Sequence, residues 1–292
     1  MLTGAPLTIA TMLRFFWARI ALTWFLTLCE TTMTALVPLL IGFALDGLLA
    51  GETVPFMQLT AVLVGLIVTS VVRRIYDTRA YGTIRVELGK SLADRSSDVV
   101  VSTLNARLGM GRELVDFLEQ DVPVVLNSAV QLVVSLIVLF AFHPVLSYSA
   151  LAAATLMIVF YSIFHRKFYR LNADHNHQTE QQVSILEARS PAGILSHLNK
   201  LRLIEVKLSD TEAYVYGAIF TVLLGFILFN LWFAATRIEI TVGTIFSIIS
   251  YSWEFVESAL VLPMTLQGWS RLSEIMNRIN QAVPSHGVER LN

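Results

Sequence analysis

Between Asp121 and Arg166 the chain contains no Asp, Glu, Lys or Arg. As a single helix rising about 1.5 Å per residue, that run would be a rod of about 65 Å, roughly twice the hydrocarbon core of a bilayer. It therefore reads as two membrane spans joined by a turn. His143-Pro144 supplies the turn, because proline removes a backbone donor and pushes its predecessor out of the helical region. The same test places spans at residues 20–44, 55–72, 122–142, 144–164, 213–236 and 241–267. Composition agrees: 55% hydrophobic and 15% charged residues exclude a soluble or disordered chain, which would carry roughly 25% charge. A helix satisfies its own backbone in lipid, and these segments lack the ten-residue alternation of barrel strands. The expected fold class is an all-α membrane protein with six transmembrane helices. The first apolar segment is longer than a signal-peptide core and follows an amphipathic stretch, residues 1–19, so it is expected to remain as a span.

Orientation follows from the basic residues. Of the 21 Lys and Arg, only Arg237 lies in the three short connections, and the rest precede span one, follow span six or fill the long stretches 73–121 and 165–212. That bias puts both termini and both long stretches in the cytoplasm, as in a bacterial-type inner membrane. Within the first stretch Ile75, Ala80, Ile84, Leu88, Leu92, Val99 and Leu104 recur at helical spacing, carrying span two beyond the bilayer. Breaks at Leu108-Gly109-Met110-Gly111 and Ser190-Pro191-Ala192-Gly193 are expected to fold each stretch into a helical hairpin. The lone Cys29 excludes an internal disulfide.

Three carboxylates interrupt the apolar depth: Glu30 in span one, and Glu254 and Glu257 in span six. Each costs on the order of 2.5–3.5 kcal/mol if charged at the helix centre, so it must face a wet cavity, find a partner or be protonated. No basic residue sits inside a span at that depth, which argues against an ion pair. Glu254 and Glu257, three residues apart, share a face. Either they bind a cation or relay protons, or they keep a vestibule hydrated. Asn127 and Gln131, one turn apart in span three, can bond across helices or line the same cavity. Trp253 and Tyr251 can stack on a cationic substrate or simply pack.

Weaker candidates reduce to ordinary roles. His175 and His177 resemble a metal pair, but side chains two apart on a helix diverge and no further ligand lies nearby, so no metal site is expected. Trp17, Trp24 and Trp232 read as interface anchors or packing. Gly89-Lys90-Ser91 lacks the glycine a phosphate loop needs five residues earlier, where Ile84 stands, so no nucleotide cofactor and no enzymatic step are expected.

Pro38, Gly42 and Asp46 recur every four residues at the end of span one, which keeps them on one helical face. Thr241 and Gly243 open span six, where the threonine can cap and the glycine can pack closely. These two patterns are similar to the P-x-x-x-G-x-x-x-D and T-x-G motifs of ABC exporters. With six spans, two long hairpins and minimal outer loops, residues 15–279 resemble the transmembrane domain of that family. The stretch from Gly111 to Asp121 is similar to the segment beside the exporters' first coupling helix, one residue longer. The resemblance implies a transmembrane domain at 20–279 and a short tail at 280–292. It also implies coupling-helix regions near Leu108, Gly109, Gly111, Pro191 and Gly193, and a domain-swapped homodimer working by alternating access. The expected function is transport of a small cationic or amphipathic substrate, peptide-like or drug-like. With the chain ending at Asn292 there is no room for an ATPase domain, so proton coupling is one energy source and a separate ATPase subunit docking on the hairpins the other. A non-transporting scaffold is the third reading. The bilayer and a second copy are the other expected partners, and no nucleic acid is.

Overall fold

The computed structural model describes residues 9–94, 101–237 and 241–281. Among the described residues the chain forms eight α-helices and one π-helical turn, with no strand. They are α1 (Ile9–Leu49), α2 (Val54–Asp94), α3 (Val101–Asp116), the π turn (Phe117–Asp121), α4 (Val122–Phe142), α5 (Pro144–Glu180), α6 (Gln182–Glu187), α7 (Pro191–Arg237) and α8 (Val242–Gln281). Five helical stretches are long and apolar enough to cross a membrane, namely Thr11–Leu49, Val54–Asp94, Gly111–Phe142, Pro144–Thr179 and Pro191–Arg237. The sixth expected span falls within α8, which is continuous but is not one of those five. The expected tail lies, from residue 282, outside the described residues.

The connections follow local chemistry. Between α1 and α2 the backbone turns at Gly51, whose φ of 82° favours glycine, and Glu52 N–H closes on the Gly47 carbonyl at 2.7 Å. Between α4 and α5, His143 is extended and its Nδ1 accepts from Val145 N–H, with Pro144 opening the next helix. That is the turn expected in the charge-free run. Pro191 likewise opens α7 after a break at residues 188–190, as expected. The other expected break is not there: α3 passes through Leu108, Gly109 and Gly111 as unbroken helix. Gly111 instead packs against Leu88 and Leu92 of α2, where a Cβ would meet Leu92 Cδ1 at 2.6 Å. Glycine here permits close approach rather than a turn. The chain between α2 and α3 lies at residues 95–100, outside the described residues.

The described residues fall into two units, one within Met1–Val138 and Glu239–Asn292, the other within Leu139–Ile238. In the first, Ala80, Ile84, Leu88 and Leu92 are buried as their spacing predicted, while Ile75 is exposed. Tyr81, Leu114, Val115 and Leu118 complete this core with Met12 and Ile20 of α1, which bends at Phe16. Tyr81 donates to the Leu118 carbonyl at 2.9 Å, and Arg85 bridges to Asp116 at 2.6 Å and to Glu119. These bonds hold α2 against the π turn. That turn precedes Pro123, which has no N–H to give the helix ladder, and an i→i+5 turn is one way to pass such a residue. In the second unit α5 and α7 pair through a Ser149–Asn230 bond of 2.6 Å at one end and a buried Gln178–His197 contact of 2.6 Å at the other.

The seam between α1 and α8 is the tightest in the first unit. Pro38, Gly42 and Asp46 all face α8: the Pro38 carbonyl accepts from Ser247 Oγ at 3.2 Å, Gly42 lies against Gly243, and Asp46 Oδ1 accepts from Gly243 N–H at 2.9 Å. Thr241 caps α8 as expected, its Oγ1 accepting from Thr244 N–H at 3.2 Å while donating to Asp46. Asp46 therefore does not end α1, which continues to Leu49; it serves the N-terminus of α8, where a carboxylate meets unpaired N–H groups. A Cβ on Gly243 would overlap the Gly42 carbonyl oxygen, whereas Gly217 has open space around it. Gly243→Ala is expected to cost about 1–3 kcal/mol and lower the melting temperature in detergent, with Gly217→Ala as the variant that does not.

Candidate functional site

Below that seam a polar layer crosses the first unit. At about 1.5 Å per residue, Glu30 lies about 24 Å along α1 from Asp46, Arg73 about 27 Å along α2 from Pro55, and Glu257 about 23 Å along α8 from Val242. Three helices thus bring charged residues to one level. There they line, with Asn127 and Gln131 of α4 and Thr31 of α1, a cavity of about 270 Å³.

The contacts show how each charge is met. Arg73 donates Nε to Glu30 and Nη1 to Asp77 Oδ2 at 3.1 Å. This overturns the expectation that no cation could reach Glu30. Arg73 stands just past span two, but its long side chain reaches the level Glu30 occupies on the antiparallel neighbour. Glu254 is half-buried and accepts from Gln131 Nε2, so the Glu254 carboxylate is met by an amide rather than a cation. Glu257 is exposed and accepts from Trp253 Nε1 at 2.6 Å, one turn back along α8. Thr31 donates to Asn127 Oδ1, tying α1 to α4 beside the cavity.

Glu30, Asn127, Gln131 and Glu257 line the cavity, while Glu254 and Trp253 do not line it and bond to its Gln131 and Glu257. Asn127 and Gln131 both bond across helices and line the cavity. Tyr251 does not join them: it is fully buried and donates to the Ala35 carbonyl at 2.7 Å, a packing role. His175 approaches Glu205 at 3.6 Å and His177 bonds Gln181, and among the described residues no three His, Cys, Asp or Glu cluster as metal ligands. Arg73, Asp77, Thr27 and Ser128 were missed by reading spans one at a time. Counting residues back from each short turn is the signal that finds Arg73.

A family model described as ABC transporter transmembrane region matches residues 9–243. The chain belongs to that family. No curated protein matches the sequence. For an ABC transmembrane region the layer has a plain chemical meaning: a water-accessible site with hydrogen-bond acceptors facing inward and one internal guanidinium. Of the three carboxylates in this layer only Glu30 is held by a cation; Glu254 is met by an amide and Glu257 by an indole N–H.

The Gln131–Glu254 bond is testable by a double-mutant cycle. Gln131→Leu strips the carboxylate of its donor and is expected to cost about 1–3 kcal/mol, measured by thermal unfolding in detergent. Adding Glu254→Leu is expected to recover most of that loss, because the orphaned acceptor goes with it.

Proposed function

We propose that this ABC transmembrane region is a transporter for small cationic or amphipathic substrates, peptide-like or drug-like, and that its substrate enters the cavity beside Glu257. The observation that carries the reading is the convergence of Glu30 and Glu257 on one cavity, with Glu254 bonded to its Gln131 and only Arg73 as a cation, in a family of transporter domains. Six spans, with α8 as the last, would put both termini and the Arg73 end of α2 in the cytoplasm of an inner membrane. A single six-span half encloses no pathway, so two copies would pair as a homodimer, bringing six carboxylates to one central site. Transport then proceeds by alternating access, two packings of the bundle biased by what binds each. Protons supply the energy, since desolvated carboxylates titrate where a substrate cation competes for them. No residue is assigned a catalytic role.

A second reading is that a separate ATPase subunit drives the same bundle. It is favoured by Leu195 and Leu198 at the start of α7, which are 62% and 52% exposed on a polar helix that has no need of them for lipid contact.

Both readings meet in one assay. With the purified protein in liposomes, an imposed pH gradient and no nucleotide, an organic cation is expected to move, to stop with a protonophore, and to slow at least about tenfold in Glu257→Gln or Glu254→Gln, the equivalent of one lost charge contact. Movement that ignores the gradient but follows ATP once an ATPase subunit is added would replace the first reading by the second. Absence of movement under both conditions would favour a scaffold.

A further inference from the structure

The ion chain at the edge of the cavity has one guanidinium for two carboxylates. Arg73 donates to Glu30, which faces the cavity, and to Asp77 Oδ2, one turn further along α2. Asp77 is only 4% exposed, and its Oδ1 has no hydrogen-bond partner. The fully buried Thr23 hydroxyl of α1 faces it, and that oxygen has none either. A buried carboxylate with a bare oxygen is costly when ionised. The Thr23 hydroxyl can donate to Oδ1 of the ionised carboxylate or accept from a proton on it, and only the proton also removes the buried charge.

The surroundings support a neutral Asp77. It lies about 33 Å along α2 from Pro55, slightly more than the thickness of a hydrocarbon core of about 30 Å. The charged and titratable groups that bear on it are Glu30 from α1, Arg73 and Tyr81 from α2, and Glu119 from the π turn. Glu119 is already held by Arg85, and Tyr81 donates to a backbone carbonyl. Burial raises the Asp77 carboxyl above its ordinary range, against the opposing pull of Thr23 and Arg73, and Glu119 adds to the rise.

We propose that Arg73 is an exchange switch through which a substrate cation and a proton on Asp77 displace one another. At rest Arg73 neutralises Glu30 and Asp77 carries the proton. When a substrate ammonium or guanidinium takes Glu30, Arg73 turns wholly to Asp77, already within its reach, and the proton leaves Oδ1 for water. One cation is bound and one proton released, so the charge of the site is unchanged. The switch needs a change of Arg73 rotamer and no helix movement. It rests on the transport reading above, and names within it the residue that couples the proton to the substrate.

Ethidium, a fluorescent organic cation, is the probe. Added to the full-length protein in detergent and weak buffer, it is expected to release about one proton per molecule bound, read by a pH dye. Asp77→Asn and Asp77→Ser are expected to bind ethidium with release falling towards zero, while Glu87→Gln, at an exposed carboxylate of the same helix, keeps the release. Undiminished release from either Asp77 variant overturns the switch and leaves the transport reading standing. Failure of the wild type to bind ethidium at all overturns the transport reading and the switch together. Should neither Asp77 variant fold, infrared difference spectra decide: loss of a carboxylic-acid band on ethidium binding, in the wild type and equally in Glu87→Gln, supports the switch, and no such loss overturns it.

Discussion

A carboxylate buried among apolar helices must be neutralised, hydrated or solvated by amides, and the arrangement of the first unit follows from that requirement. Glu30 obtains a guanidinium, Glu254 an amide and Glu257 an indole N–H facing open space. Each partner comes from a different place: α2 for Glu30, α4 for Glu254, the same helix for Glu257. Meeting the three charges therefore fixes which helices must stand side by side, and at what level. The cavity is the space left where those partners converge, and its polarity is the consequence of satisfying the acids rather than a separate feature.

The same economy governs the opposite end of α1. Helix α8 begins with N–H groups that no preceding turn can accept, and Asp46 takes one of them while accepting from Thr241. For that carboxylate to reach, the backbones must be close, and Gly42 and Gly243 remove the side chains that would keep them apart. The Pro38 carbonyl accepts from Ser247 on the same face, adding a side-chain bond across the seam. A charge, two glycines and a proline thus act as one device.

How much of this could be read from residues alone depends on the range of the interaction. The His143-Pro144 turn and the Pro191 start were legible because proline acts on its immediate neighbours. The buried series Ala80, Ile84, Leu88 and Leu92 was legible because one helical face repeats every 3.6 residues. The face of Pro38, Gly42 and Asp46 was visible too, though its partner on α8 was apparent only as a separate motif. Gly109 and Gly111 misled because glycine serves both turns and close packing, and only the presence of Leu88 and Leu92 opposite decides which. The Arg73–Glu30 pair was missed for a different reason. Charge was assigned to spans by position in the chain, whereas a guanidinium reaches several ångströms from its Cα, and two antiparallel helices bring residues 43 apart to one depth.

The two ends of the α1–α8 seam differ in what would be needed to separate them. At the Asp46 end, parting the helices breaks a charge-assisted bond to Gly243 and another to Thr241, each worth about 1.5–3 kcal/mol. At the level of Glu30 and Glu257 the two helices are not joined by such bonds, since each acid is satisfied elsewhere. For the alternating access proposed above, a state opening at the Asp46 end would have to give Asp46 and the α8 N-terminus new partners. Water would supply both, so the gap between the proposed states would reduce to a few kcal/mol. That is within what one cation bound differently in the two states can supply. A bundle sealed by apolar packing alone would have no comparable way to recover what it loses on opening to water, because water offers a separated Leu pair nothing in exchange for its neighbour.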